Sequence, residues 1–249
     1  MNSPTIELYN SMQLIYNHFN DDLFSNQLPQ VLLTYQRHNN KMGYFSPNRW
    51  ISGKNQKCHE ISINPSFVGR ASLIEFMQTL VHEMVHCWQQ CYGKPSRNYH
   101  NKEWANKMIS VGLIPSDTGL PGGTITGKHM CDYPEAKGKF IYSCEKLLKD
   151  KQFSLPWVDM YAKSTKLTYN EKFVTTIEAL TNIDEPTITQ LTTPLDSIFG
   201  AESFVNLTQN KTRKLKLKYT CPECKINVWG RPELNLMCSD CKCTLNPNI

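Results

Sequence analysis

Two histidines and a glutamate lie close together in LVHEMVHCWQQ, residues 80–90, where they form an H-E-x-x-H pattern. On a helix, residues four apart share one face, so His82 and His86 can direct both imidazoles at one point. Zinc prefers this arrangement, with neutral imidazole nitrogens in a tetrahedral site that keeps one position for water. Glu83 follows the first histidine, so its carboxylate can exchange a proton with that water. The pattern predicts a metal-dependent peptide hydrolase.

A three-histidine site needs one more protein ligand, and His100 is the best candidate. The turn at YGKPSRNY, residues 92–99, lets the chain reverse before this histidine. We expect His100 to open the next helix, which can then lie across the first. Glu103, one turn further on, is the alternative ligand.

A second cluster of metal-ligand residues lies near the C-terminus, where Cys221 and Cys224 form one C-x2-C pair and Cys238 and Cys241 form another. Two such pairs can close a tetrahedral four-thiolate site that suits zinc or iron. Cys243 can replace Cys241, although the resulting C-x4-C spacing fits less well. We expect a zinc ribbon with a short β-hairpin between the two pairs. Its metal would be structural, because so small a unit needs metal binding to supply folding free energy.

The net charge of +5 is concentrated at the end of the chain, since residues 211–249 hold eight lysines and arginines against three acidic residues. Lysines alternate with Leu215 and Leu217 in this segment, which predicts an edge strand with a basic outer face. Such a strand would contact phosphates without reading base sequence. We therefore expect DNA binding through this strand and the ribbon, with a solvated basic tail as the alternative. Five candidate contacts fall within eight positions: Lys211, Arg213, Lys214, Lys216 and Lys218.

Hydrophobic periodicity predicts the elements that position these residues. Residues 71–93 carry apolar side chains at three- and four-residue spacing, and Gly93 with Pro95 ends the helix. Further helices are predicted at 3–24, with Ser3 as a cap, and at 100–113. Short strands are predicted at residues 30–36, 43–52 and 59–65, with a turn or bulge at Asn48.

The rest of the chain predicts a three-part organisation. Residues 116–130 are rich in glycine and read as a loop, and residues 131–210 show little pattern beyond one short helix. We expect a catalytic domain over 1–130, an extension and spacer over 131–210, and the basic strand with its ribbon over 211–249.

Composition indicates a globular protein, with 40% hydrophobic and 20% charged residues among 249. No segment approaches the roughly 18 consecutive apolar residues of a membrane-spanning helix, so we expect no membrane association. Residues 1–10 lack the basic and apolar regions of a secretory signal. We expect an intracellular protein, cytoplasmic if encoded by a bacterium or phage and nuclear if eukaryotic, whose ten cysteines are thiols or metal ligands.

Five segments follow one another in an order that resembles the SprT/Spartan family of zinc-dependent metalloproteases: FNDDLFSNQLP, GYFSPNRW, EISINP, LVHEMVHCWQ and HNKEWANKM. The resemblance implies an α+β, zincin-like fold in which a small sheet packs on helices, followed by a small β zinc ribbon. It implies His82, His86 and His100 as ligands of a catalytic zinc, with Glu83 as catalytic base and acid. Together with the four-cysteine site, this makes two zinc ions per chain.

The family includes enzymes that degrade proteins crosslinked to DNA. The resemblance therefore implies DNA-associated or DNA-crosslinked proteins as substrates. One alternative is a nucleic-acid-binding protein that keeps the zincin fold without acting as a protease. Another is a zinc-ribbon transcription regulator, which would bind DNA with sequence specificity. The sequence predicts neither the cleavage preference nor the oligomeric state.

Overall fold

A computed structural model describes residues 3–38, 41–151, 153–162, 180, 183–205 and 216–248. The chain divides into two compact units, Met1–Val205 and Asn206–Ile249. The first packs helices with small sheets, and the second is a small sheet that carries four cysteines, so the predicted α+β fold is confirmed. The three-part domain division stays a prediction. In the described part of the chain, no helix is long and apolar enough to cross a bilayer.

Helix α1, Pro4–Phe24, confirms the first predicted helix. Proline suits the first turn because its missing N–H would have no helical partner there. Ser3 occupies the capping position, but its side chain makes no capping hydrogen bond, so that detail of the prediction is wrong. The Ser3 carbonyl instead starts the helix by accepting a hydrogen bond from the Glu7 N–H at 3.0 Å.

Three strands form the sheet of the first unit, in the order β1-β3-β2, and they match the predicted segments: β1 Leu32–Tyr35, β2 Gly43–Ile51 and β3 Lys57–Ile63. β1 runs parallel to β3 and β2 runs antiparallel to it, so β2 is an edge strand. The irregularity predicted at Asn48 is confirmed by its φ of 50° and by a register shift between Ser46 and Trp50. Asparagine tolerates this left-handed conformation better than most residues.

Helix α3, Leu73–Tyr92, follows a short helix α2, Pro65–Val68, and confirms the strongest helix prediction. At its start the Glu75 carboxylate accepts hydrogen bonds from the Ser72 N–H at 2.8 Å and the Ser72 hydroxyl at 2.9 Å. This reciprocal contact satisfies a backbone donor that the helix leaves free. The apolar stripe of α3 is fully buried at Leu80, Val81, Met84 and Val85.

Helix α4, Lys102–Ser110, begins later than predicted because Asn101 caps it. The Asn101 side chain accepts a hydrogen bond from the Trp104 N–H at 3.1 Å. His100 therefore precedes the helix, and the expectation that it opens the helix is wrong. Gly112 follows with a φ of 88°, a conformation that ends the helix without steric cost for glycine.

A two-stranded sheet follows, in which β4, Leu113–Ser116, pairs antiparallel with β5, Cys131–Pro134. The connection between the strands holds turns and bends but no helix or strand, as the glycine-rich sequence predicted. An isolated bridge joins this connection to the segment before α4, because Gly127 and His100 exchange backbone hydrogen bonds.

More helices follow β5 than the sequence analysis predicted. Helix α5, Lys139–Lys151, packs against α1 and buries Phe140, Cys144 and Leu147 in the core. A Lys146–Asp22 ion pair of 2.7 Å joins the two helices. Three short elements continue the chain: α6 Glu185–Thr192, α7 Leu195–Ile198 and a 3-10 helix at Ala201–Ser203.

The second unit is a three-stranded sheet in the order β7-β6-β8, formed by β6 Leu217–Thr220, β7 Asn227–Gly230 and β8 Asn246–Asn248. β6 pairs antiparallel with both neighbours, so it is the central strand and the prediction of an edge strand is wrong. The predicted hairpin is also displaced. It forms between β6 and β7 around the first cysteine pair, because the turn after Cys221 brings the chain straight back along β6.

Candidate metal centres

Three imidazoles converge on one side of helix α3. His82 and His86 lie one turn apart with ring centroids separated by 5.2 Å. The ring of His100 lies 5.6 Å from that of His82 and 4.9 Å from that of His86. One ligand nitrogen from each ring can be chosen so that all three lie within 4.8 Å of one another. The structure therefore brings together the three histidines that the sequence predicted.

Hydrogen bonds join α3, α4 and the turn between them next to His100. Gln89 Nε2 donates hydrogen bonds to Asn101 Oδ1 at 2.7 Å and to Glu103 Oε2 at 2.8 Å. The same Glu103 oxygen accepts the Lys94 N–H at 2.6 Å. Glu103, the alternative ligand in the sequence analysis, is thus bound to the turn and lies outside the cluster of possible ligands.

Trp104 forms the floor beneath the three rings. It is fully buried, and its ring centroid lies 5.0 Å from that of His82, 5.4 Å from that of His86 and 4.4 Å from that of His100. Because buried side chains are closely packed, an indole in contact with all three imidazoles limits how far each imidazole can rotate. Trp104 lies within the HNKEWANKM motif, but no role was predicted for it from the sequence.

Hydrogen bonds fix which nitrogens can bind a cation. His82 Nδ1 lies 3.0 Å from Asp132 Oδ2, and His100 Nδ1 lies 3.1 Å from the Gly127 carbonyl oxygen. Both partners are acceptors, so each Nδ1 carries the proton and donates it. Each Nε2 then keeps its lone pair for a metal.

Electrostatics favour neutral rings at two of the three positions. Burial lowers the pKa of His86 well below its ordinary value and that of His100 to about 4, and the neighbouring imidazoles lower both further. Burial acts in the same direction on His82, but its hydrogen bond to Asp132 and the nearby charge of Glu83 outweigh it and raise the pKa. Neutral imidazole is the form that binds a metal.

The geometry fits zinc. His86 Nε2 and His100 Nε2 face each other at 3.1 Å. Two nitrogens bound tetrahedrally at about 2.0–2.1 Å would lie roughly 3.3 Å apart. Opposed lone pairs at this separation are stabilised by a cation between them, so the donor set is suited to a small divalent ion.

Glu83 lies beside the histidines but belongs to no ligand cluster. Its side chain is nearly buried, and Gly43 packs so closely that a Cβ there would lie 3.3 Å from Glu83 Cγ. Burial raises the pKa of Glu83, against the opposing effects of His82, Lys41 and a hydrogen bond from the Phe45 backbone. A carboxyl group with a raised pKa is suited to accept and return a proton near neutral pH.

The second unit brings together Cys221, Cys224, Cys238 and Cys241, whose sulfurs all lie within 4.8 Å of one another. Cys224 Sγ and Cys238 Sγ are 3.8 Å apart. Thiolates bound tetrahedrally at about 2.3 Å would show roughly this separation. Burial raises the pKa of Cys221, but hydrogen bonds from the Cys224 and Glu223 backbone outweigh it and bring the pKa to about 6. The donor set is therefore suited to zinc.

Cys243 lies beside this cluster without belonging to the group of four. Its sulfur is 3.5 Å from that of Cys221. Its backbone carbonyl accepts the Cys238 N–H at 2.8 Å, so it helps to form the second cysteine turn. The grouping favours Cys241 as the fourth ligand, as the shorter C-x2-C spacing predicted.

Only part of the predicted basic strand falls within the described residues. Lys216 is exposed and Lys218 lies on β6, whereas Lys211, Arg213 and Lys214 lie outside the described residues. Lys218 faces Trp229 across the β6–β7 pair, and Trp229 is 61% exposed. The outer face of the ribbon therefore carries a cation beside an accessible indole.

Comparison with known proteins agrees with the first centre. Residues 12–124 match the model of the SprT-like family, and this range includes all three histidines and Glu83. A stretch of 51 residues is 45% identical to an uncharacterized protein in the mucB 3' region of Salmonella typhimurium, covering 20% of this chain and 69% of that relative. The chain belongs to the SprT-like family.

Two features of the structure lie outside the SprT-like match. Asp132, which holds His82, lies beyond residue 124, and so does the whole four-cysteine unit. No solved structure matches the chain. Asp132 was missed by the sequence analysis because it lies 50 positions from its partner in a strand with no distinguishing pattern.

Proposed function

We propose that the chain is a zinc-dependent metalloendopeptidase with a structural zinc in its C-terminal ribbon. The observation that carries this proposal is the convergence of ring nitrogens from His82, His86 and His100 beside Glu83, a buried glutamate of helix α3. A zinc ion held there by His82, His86 and His100 would supply Lewis-acid activation of water and of a peptide carbonyl. The match of residues 12–124 to the SprT-like family also supports a metalloendopeptidase.

Glu83 is assigned the proton transfers. It would accept a proton from the attacking water and return it to the leaving amine, a role that its raised pKa supports. The Phe45 N–H and the close approach of Gly43 hold the carboxylate in one place, which lowers the cost of reorganisation during the reaction.

The edge strand β2 supports a peptide as the substrate. Gly43 lies against Glu83 at the start of β2, and one side of this strand has no partner in the described sheet. An extended peptide can add to such an edge through main-chain hydrogen bonds, with little demand on its side chains. This geometry suits an endopeptidase of broad sequence preference.

We further propose that the substrates are DNA-associated or DNA-crosslinked proteins and that the ribbon binds DNA. The support is chemical. Residues 211–249 hold the whole net charge of +5, and the ribbon presents Lys218 beside the exposed Trp229. Lysine can contact phosphates and an exposed indole can stack on a base, which gives affinity without base readout.

The decisive experiment compares cleavage of a DNA-binding protein by the wild type and by Glu83→Gln, in the presence and in the absence of DNA. We expect the variant to cleave about 10²–10⁴-fold more slowly, since that is the usual contribution of a general base. Glu145→Gln, which removes a carboxylate paired with Lys149 on α5, is the control and should keep the wild-type rate. Equal cleavage by wild type and Glu83→Gln would reject the peptidase, and absence of cleavage under all DNA conditions would favour the non-proteolytic alternative.

Metal analysis tests the site itself. The purified chain should contain two zinc ions, and replacing both His82 and His86 by alanine should leave one. If the double variant still holds two, the three histidines are not the zinc site.

A further inference from the structure

Asp132 contacts the histidine centre from a strand that lies outside the family match. Its Oδ2 accepts the Nδ1 proton of His82 at 3.0 Å, and its side chain is only 8% exposed. The strand β5 that carries it is fixed by pairing with β4, where Asp132 lies opposite Pro115. The β4–β5 sheet thus places the Asp132 carboxylate against Nδ1 of His82, the ring nitrogen that faces away from the candidate metal site.

The other oxygen of Asp132 is held by the helix that carries the histidine. Gln78 Nε2 donates to Asp132 Oδ1 at 3.1 Å and lies 3.4 Å from the Asp132 carbonyl oxygen. Gln78 precedes His82 by one helical turn, so the two side chains bind the two carboxylate oxygens from the same face of α3. Both oxygens are occupied, which leaves the carboxylate one orientation.

We propose that Asp132 is a positioning residue for the catalytic zinc site, acting through His82 and held in place by Gln78. Its carboxylate fixes His82 in the tautomer that leaves Nε2 free, locks the ring orientation, and makes the ring a stronger donor to the cation. The inference rests on the proposed zinc site. It adds that part of the metal affinity comes from a residue beyond the SprT-like segment.

A purely structural role for Asp132 makes a different prediction. If Asp132 only ties β5 to α3, its loss would lower thermal stability and leave the zinc affinity of the folded chain unchanged. If it positions His82, its loss weakens the histidine site and leaves the four-cysteine site unaffected. The cysteine site is therefore an internal reference within each molecule.

The test measures zinc retained by the full-length chain in a graded series of chelator concentrations. Asp132→Ala should weaken the histidine site about 10–100-fold, the usual cost of losing such a partner of a ligating histidine. Asp132→Asn keeps a neutral acceptor and should weaken it less. Gln78→Leu frees the Asp132 carboxylate to rotate and should also weaken zinc binding at the histidine site, but less than Asp132→Ala does.

Asp159→Ala is the matched control. The Asp159 side chain is 7% exposed, and it accepts hydrogen bonds from Arg37 at 2.9 Å and from the Tyr161 N–H at 3.0 Å instead of from a histidine. It should keep the wild-type affinity at both sites. This control separates loss of an aspartate carboxylate in general from loss of the one that holds His82.

Two results would overturn the inference. One is wild-type affinity at the histidine site in a folded Asp132→Ala chain. If Asp132→Ala fails to fold, the second such result is wild-type zinc affinity at the histidine site in both Asp132→Asn and Gln78→Leu. Failure of the proposed zinc site looks different, because the His82/His86 double variant would then keep both zinc ions.

Discussion

The two candidate metal centres are built in opposite ways. Around the histidine centre, a large core of apolar side chains is buried, including Leu80, Met84 and Trp104. In the second unit the buried core consists of Tyr219, Leu245 and two of the cysteines themselves. The first centre is positioned by packing, so it should exist before the metal binds. In the second, metal binding and folding should be one event.

Removal of metal tests this contrast most strongly. Structural zinc in isolated zinc fingers contributes an apparent folding free energy of about 10–16 kcal/mol, so the chelated ribbon should unfold. The first unit should stay folded. Amide NMR spectra check this: signals from 216–248 should collapse to the unfolded range while those of α3 keep their dispersion. If the α3 signals lost their dispersion after chelation, or if the ribbon signals kept theirs, the proposed contrast between the two centres would be wrong.

Single cysteine replacements sharpen the same point within the ribbon. Cys241→Ser should unfold the ribbon and lower the zinc content from two to one, because it removes a ligand of the four-thiolate group. Cys243→Ser should keep both zinc ions and the fold, with its contact to the Cys221 sulfur lost. Elemental analysis with the same NMR spectra distinguishes the two variants. The reverse pattern would make Cys243 the fourth ligand.

A smaller effect is expected from the core of the first unit. Leu80→Ala removes a fully buried side chain of α3, two positions before His82, and should cost about 2–5 kcal/mol of unfolding free energy. Leu14→Ala, on the surface of α1 where leucine is 38% exposed, is the control and should cost a fraction of that. Denaturant unfolding of the first unit measures both. Equal costs would show that packing does not hold the histidine centre.

Local pattern predicted the histidine centre well. His82, Glu83 and His86 belong to one helix with a strong apolar stripe, and His100 follows a turn that brings the chain back to it. The helix α5 was also within reach of pattern analysis, because Phe140, Ile141, Cys144, Leu147 and Leu148 recur at helical spacing. That segment was predicted only as part of a weakly patterned extension.

Other features depend on contacts between distant segments and leave no local signal. Asp132 meets His82 only because β4 and β5 pair after a connection of turns. The ribbon strand β6 becomes central only because β8 returns to it from the chain end. Ser3 has the residue type of a cap, yet its carbonyl, not its hydroxyl, makes the contact.

The bonds among Gln89, Asn101 and Glu103 have a consequence for ion choice. They join α3 to the residues that follow His100, so we expect them to restrict how far His100 can move away from His86. Ions with bonds of about 2.0–2.1 Å to nitrogen match this close pair of imidazoles, whereas calcium requires about 2.3–2.6 Å and oxygen donors. These three side chains would then contribute to the choice of ion, although none of them belongs to the cluster of possible ligands.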